Sequence, residues 1–233
     1  MCIRDRFVTE ALALPDDVEV LVRGSQDHLS DEDLRALTDN VSLEVFADQL
    51  SDGTQVYLEK EDVVANMRVA DAWLREQGCL ATIVFCSNDY SELSDIPNVV
   101  LPSKLIINNT LAVVPKGATI GVLNPIEAVM DYEIQKWHYL NDEGYTIINT
   151  NAAPVIPESP DFAMMSEEEI ATAETRPVEA ALELVEQGAD VIVLDCMGFS
   201  AKNRLEVFEA TGKPVLDPQG LSSRALTLLY GMA

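Results

Sequence analysis

The sequence predicts an α/β fold with parallel sheets and helices on both faces, on three observations. Short apolar runs rich in β-branched residues alternate with helical patterns along most of the chain. Two of these runs, "LATIVF" and "DVIVLD", are apolar nearly throughout, as central strands buried on both sides are. One phrase also recurs: "EQGCLATIVFC" ends at Cys86 and "EQGADVIVLDC" ends at Cys196. In each, a helix closes at Glu-Gln-Gly, the chain turns, and an apolar strand runs to a cysteine.

Taken in order, the chain opens on "MCIRDRF" and runs straight into the helical pattern "VTEALALP". An α/β chain ordinarily begins with a strand, so a first strand and its loop are expected to be absent from this sequence. "VEVLV" (18–22) alternates as a strand does. Ser30 and Asp33 suit the cap of a short helix over "DEDLRALTDN". "SLEVFADQLSDGTQVYLEK" reads as a hairpin turning at Asp52-Gly53. A helix over about 61–77 stops at Gly78, and "TIVF" is the strand after it.

Pro102 opens a helix through "SKLIINNTLAVV", and Pro115-Lys116-Gly117 breaks it, the best place for a boundary. "ATIGVL" is a strand, Asn124-Pro125 starts a helix carrying Trp137 and His138, and "YTIINT" is a strand. After a Pro-rich loop to 165, Ser166 and Glu169 form a capping box for a helix expected to kink at Arg176-Pro177 and to end at Gly188. "DVIVLD", "KNRLEVFEATG", "PVLD" and 219–230 complete the alternation as strand, helix, strand, helix.

Composition narrows the function. The 233 residues include 40 acidic and 15 basic side chains, a formal charge of −25 that repels nucleic-acid phosphates and anionic lipid. No apolar run reaches the roughly 18 residues of a membrane span, and no secretory signal is legible. The four cysteines, Cys2, Cys79, Cys86 and Cys196, show no CxxC spacing, and there are two histidines, so no zinc site is expected. Reduced thiols and a cytoplasmic location follow. Dinucleotide, P-loop and serine-hydrolase signatures are absent from the sequence, and no cofactor or metal is called for.

The repeat puts two cysteines at equivalent places. A residue just beyond a strand's carboxyl end faces the crevice where open α/β sheets bind ligands. If the halves face each other about a pseudo-twofold axis, Cys86 and Cys196 confront one another across a cleft. Small and polar residues come after each: Ser87, Asn88 and Asp89 in one half, Met197 and Gly198 in the other. Backbone N–H groups there would hold a carboxylate and stabilise a thiolate. Two thiols flanking one carbon suit proton transfer α to a carboxylate, one removing a proton and the other delivering one to the opposite face. The alternative is that either cysteine packs as an inert small hydrophobe. Asp195 could tune Cys196 or simply accept hydrogen bonds at a helix N-terminus. Ser87 and Asn88 suit substrate binding or turn chemistry equally. His138 reads as a surface or packing residue, Trp137 as core, and Cys2 and Cys79 as structural or incidental.

The segments "VLDCMGF" (193–199), "FCSND" (85–89), "DGTQVYL" before a helix, and "IGVLNP" (120–125) with Trp137 downstream resemble the AroM family, within the aspartate/glutamate racemase-like superfamily. The likeness runs from about residue 7 to the end. It implies two Rossmann-like halves related by a pseudo-twofold axis, with the site between them. The final helix returns to the first half, so the expected domains are 1–114 with 217–233, and 115–216. Three departures stand out. The family's opening Thr-Ile-Gly-Gln and Pro-Arg segment is missing. Asp48-Gln49-Leu50 stands where an Arg is common. Met197-Gly198 stands where racemases place Thr and often His. The expectation is a cofactor-independent racemase or isomerase with Cys86 and Cys196 catalytic, and with Ser87, Asn88, Met197 and Gly198 binding a small carboxylate. A non-catalytic metabolite-binding protein and a decarboxylase relying on Cys196 alone stay open, as does a homodimer.

Overall fold

The computed structural model describes residues 3–37, 45–49, 55–125, 130–156 and 165–231. The chain divides into two compact units, one of Met1–Val18, Ile83–Asp89 and Leu101–Ala233, the other of Glu19–Thr82 and Tyr90–Val100.

The larger unit begins with helix α1 (Ile3–Leu12) and is built on a four-stranded parallel sheet. Its strands are β5 (Thr119–Asn124), β6 (Thr146–Asn151), β7 (Val191–Leu194) and β8 (Val215–Leu216), in the order β6-β5-β7-β8. Helices carry the crossovers that parallel pairing demands: α5 (Met130–Glu133) with α6 (Gln135–Asp142), α7 (Glu167–Glu186), and α8 (Ala201–Thr211). Two further helices, α4 (Pro102–Val113) and α9 (Pro218–Tyr230), pack on each other, and α4 also meets β7 and β8.

Strand alternation sorts the core into two layers. Ile120, Val122, Val191 and Val193 pack with Ile106, Trp137 and Leu140 on one face. Leu123, Ile192 and Leu194 pack with Ala180, Ala181, Leu184 and Val207 on the other. Gly121 lets α7 approach β5, since a Cβ there would lie 3.0 Å from Ala189 Cβ and 3.2 Å from Leu184 Cβ. The expected capping box is present, with Ser166 Oγ accepting from Glu169 N–H and Glu169 accepting from Ser166 N–H. Helix α7 runs on through Pro177. Arg176, beside that proline, donates to Asn151 O at 3.1 Å and pairs with Glu183 at 2.6 Å, which fixes α7 to the end of β6.

The smaller unit holds a short helix α2 (Asp31–Leu37), an antiparallel hairpin of β1 (Val45–Gln49) and β2 (Gln55–Glu59), and helix α3 (Lys60–Glu76). The hairpin pairs Val45 with Glu59 and Gln49 with Gln55, and its expected turn at Asp52-Gly53 lies outside the described residues. So does Cys2. Ser30 and Asp33 cap α2 as expected. Asp71 is buried within α3, and its charge is met by Arg75 Nε at 2.7 Å and Thr82 Oγ1 at 2.6 Å.

The two Glu-Gln-Gly phrases are the same helix ending. After α3, Gly78 takes φ +89° and Cys79 N–H returns to Leu74 O. After α7, Gly188 takes φ +98° and Ala189 N–H returns to Leu184 O. This left-handed closure satisfies last-turn carbonyls and points the chain back along the helix.

Two strand expectations need correction. "VEVLV" joins no ladder among the described residues, and Leu21 lies exposed rather than on a buried face. Alternation makes a strand only where a neighbouring strand completes its hydrogen bonds. "TIVF" is regular only at β3 (Thr82–Ile83), and both residues are half-buried, so it is no fully buried central strand. Its counterpart β4 is the two-residue Val99–Val100. The other apolar run, β7, is fully buried as expected. No helix among the described residues is long and apolar enough to cross a membrane.

Candidate active site

The sequence-predicted residues lie in the larger unit, on the segment Ile83–Asp89 and on the chain leaving β7. Parallel pairing sets Leu123 of β5 opposite Leu194 of β7, so both strands end at the same level. Asp195, Cys196, Met197 and Gly198 come directly after. Asp195 N–H still bonds Leu123 O at 3.0 Å, and Phe199 N–H closes a turn on Cys196 O.

That turn presents the second cysteine. Gly198 N–H donates to Cys196 Sγ at 3.3 Å. A Cβ on Gly198 would come within 2.7 Å of Pro154 Cγ and 3.0 Å of Ile156 Cδ1, so only glycine fits. Met197 is buried, and its carbonyl accepts from Gln219 Nε2 at the start of α9 at 3.1 Å. Its side chain is therefore packing, while its backbone anchors the turn.

The first cysteine's segment is tied to the same place. Ser87 is buried and donates through Oγ to Asp195 O at 2.9 Å. Asn88 Nδ2 donates to Glu133 Oε1 at 3.4 Å. Cys86 and Cys196 are both partly buried and form no disulfide, and a charge on Cys86 would disfavour a charge on Cys196. Cys79 is also free, on the turn after α3.

One electrostatic expectation is reversed. The Gly198 N–H does favour a Cys196 thiolate, but desolvation dominates, and the charges of Cys86, Glu133 and Asp195 add to it. Together they push the Cys196 thiol up to about 12. Near neutral pH Cys196 is a thiol, suited to donating a proton.

Asp195 does not serve at a helix N-terminus. Its carboxylate is fully buried, ion-paired with Lys136 Nζ at 2.9 Å and hydrogen-bonded by Trp137 Nε1 at 2.9 Å. Lys136 also donates to Ser87 O, so one ammonium joins the two cysteine-bearing segments. Trp137 is core, as expected, with its indole N–H spent on Asp195, and His138 is exposed.

The sequence reading missed three residues. Lys136 sat unremarked beside Trp137 in an apparently ordinary helix. Glu133 is buried, and desolvation raises its carboxyl to about 7 even though Lys136 pulls the other way. Asn124, read as the start of a helix, is instead the last residue of β5 and fully buried. A usable signal existed for two of them, since Glu133 and Lys136 lie three apart and so share one face of a helical segment.

A family model described as "AroM protein" matches residues 8–229. No curated protein matches in sequence. Among solved structures, the chain is similar to an allantoin racemase from Klebsiella pneumoniae (14% identity, TM-score 0.55, covering 99% of this chain and 84% of that one). An arylmalonate decarboxylase is similar at 15% identity and TM-score 0.53, over 76% of this chain and 81% of that one. A glutamate racemase from Bacillus anthracis matches at 15% identity and TM-score 0.53 over 73% of this chain. The chain spans 65% of that racemase, just under two thirds of its length. These likenesses establish a racemase-like α/β fold.

Proposed function

The chain belongs to the AroM family, and we propose that it moves a proton at the α-carbon of a small carboxylate without a cofactor, using Cys86 and Cys196 as paired acid and base. In this reading the Cys86 thiolate takes the α-proton, and the C–H electron pair passes into the carboxylate as an enolate. The Cys196 thiol then gives its proton to the opposite face of the carbon, leaving a thiolate there. The reverse direction exchanges the roles, and solvent restores the starting protonation. Ser87, Asn88, Met197 and Gly198 frame the substrate, chiefly through their backbone. The division into halves 1–114 with 217–233, and 115–216, belongs to the same proposal.

The observation that carries it is the hydrogen bond from Ser87 Oγ to Asp195 O at 2.9 Å, which ties the residue after Cys86 to the residue before Cys196, while burial holds Cys196 protonated. A two-base proton transfer needs one thiol and one thiolate at the start. The Lys136–Asp195 pair supports the reading as a positioning device, since Lys136 fixes Ser87 O and Asp195 immediately precedes Cys196. Two of the similar structures are named as racemases, which fits.

A second reading is favoured by the same protonated Cys196. In a decarboxylation the bond from carbon to a carboxylate breaks, carbon dioxide leaves, and the enolate needs only one proton from one thiol. The arylmalonate decarboxylase among the similar structures is named for that class.

The test is solvent-deuterium incorporation across a panel of amino, hydroxy and malonate-type acids. Racemisation predicts exchange at the α-carbon that falls by at least about a hundredfold in both Cys86→Ser and Cys196→Ser. Carbon dioxide release sensitive to Cys196→Ser alone would select the decarboxylase. Exchange with no compound would leave a metabolite-binding protein.

A further inference from the structure

Asn124 is the unexplained residue of the site. It ends β5, it is fully buried, and neither its Oδ1 nor its Nδ2 has a hydrogen-bond partner among the described residues. Buried amides are almost always satisfied, so both ends left open on one side chain call for an explanation. Its backbone carbonyl is doubly engaged, because Asn124 O accepts from Ala152 N–H at 3.0 Å and from Asn151 Nδ2 at 3.1 Å. The side chain is therefore held, and it is the side chain alone that lacks partners.

Its direction comes from the strand. Alternation places Asn124 on the face of Ile120 and Val122. Val191 and Val193 line the same face from β7, so Asp195, two residues beyond Val193, belongs to it as well. The register pairs Leu123 with Leu194, which sets Asn124 beside Asp195. Glu133, whose charge is coupled to Asp195 and Lys136, is a second buried group, and its Oε2 is likewise without a hydrogen-bond partner among the described residues.

The charges around Asn124 decide what group could fill this place. Lys136 and Asp195 neutralise each other at 2.9 Å. Lys136 is also the cation that acts on Glu133. A second carboxylate would find that cation already paired and would face Asp195 and Glu133. A neutral group that offers an acceptor and a donor together suits the orphaned amide, because two amides can exchange N–H···O bonds reciprocally.

We propose that Asn124 is a specificity-determining residue that binds a carboxamide or ureide group carried by the substrate's small carboxylate skeleton, through a reciprocal pair of hydrogen bonds. The inference rests on the small-carboxylate reading of the site, and it adds the second functional group of the ligand. It also gives the open atoms of Asn124 a partner that an apolar or doubly anionic substrate would not supply.

The test is calorimetric binding to the full chain carrying Cys86→Ser and Cys196→Ser, which removes turnover from the measurement. The probes are succinamate, N-carbamoylglycine, succinate and butyrate. Succinamate or N-carbamoylglycine is expected to bind at least about tenfold more tightly than succinate and butyrate, and whichever binds better identifies the carboxamide or the ureide. Asn124→Leu should erase that preference while keeping the weaker butyrate binding. Asn124→Asp, closer in shape, should erase it too, which covers the case of a leucine variant that folds poorly. Equal affinities across the four probes, as an ordered water on Asn124 would give, overturn the proposal. So does binding of none of them, or a preference that survives both variants. A preference for the amide probes together with no proton exchange in the unmodified protein would retain Asn124's role and reject the catalytic reading.

Discussion

At the scale of single residues, Glu133 shows how burial, rather than sequence position, sets the chemistry. Its carboxyl is raised from 4.5 to about 7 by desolvation, with Lys136 opposing and Asp195 adding to the shift. A carboxyl raised on folding binds its proton more tightly in the native state. Its contribution to stability is therefore fully present below about pH 4.5, declines as pH rises towards 7, and is absent above. The size is on the order of 3 kcal/mol. Asp217, also raised by burial, pushes in the same direction, so the variant comparison matters more than the raw profile. Urea unfolding of wild type and Glu133→Gln between pH 4.5 and 8 should show wild type losing stability relative to the variant as pH rises. Parallel profiles would show that Glu133 titrates normally.

Residues were legible where their type alone suggested chemistry. Cys86 and Cys196 were singled out by the recurring phrase, and Ser87, Asn88 and Gly198 by their places beside them. The structure gives each of those three a defined hydrogen bond. Lys136 was not legible, because a lysine on an amphipathic helix ordinarily faces water. Its burial depends on Asp195, far away in sequence, which only the fold brings to 2.9 Å.

Among elements, those with local punctuation could be read and those needing a distant partner could not. The capping boxes at Ser30 and Ser166 and the glycine closures at Gly78 and Gly188 are local devices, and each is present. "VEVLV" and most of "TIVF" carry strand composition but lack a ladder to join among the described residues. Asn124-Pro125 reads as a helix start from local sequence, yet pairing with β6 extends β5 through Asn124. The contact of β5 with α7 is a tertiary feature of the same kind. Gly121→Ala would force a methyl to 3.0 Å from Ala189 Cβ and 3.2 Å from Leu184 Cβ, both on packed, inflexible positions. The expected loss is about 1–3 kcal/mol in urea unfolding. A neutral effect would mean that α7 shifts freely over the sheet.

For the whole molecule, the parallel sheet explains why cysteine-bearing and charge-bearing segments converge. Strands β5 and β7 end together, so the segments leaving them emerge at one edge of the sheet. Lys136, reaching Asp195 on one side and Ser87 on the other, ties the first cysteine's segment there. The acidic excess, 40 residues against 15, tells of solubility and of partners repelled, and it gave no hint of this arrangement. The most direct measurement is bridging of the two thiols. The full chain is treated with 1,3-dibromoacetone, whose short spacer joins sulfurs that flank one small ligand, and then digested for mass spectrometry. Paired thiols predict a Cys86–Cys196 bridge as the main product at mildly alkaline pH, lost in either serine variant, because capture at Cys86 holds the second bromomethyl group beside Cys196, where its high effective concentration traps the small thiolate fraction that Cys196 presents. Reagent attached at Cys86 with Cys196 still unbridged after prolonged treatment at alkaline pH, or a bridge to Cys79 instead, would contradict the pairing.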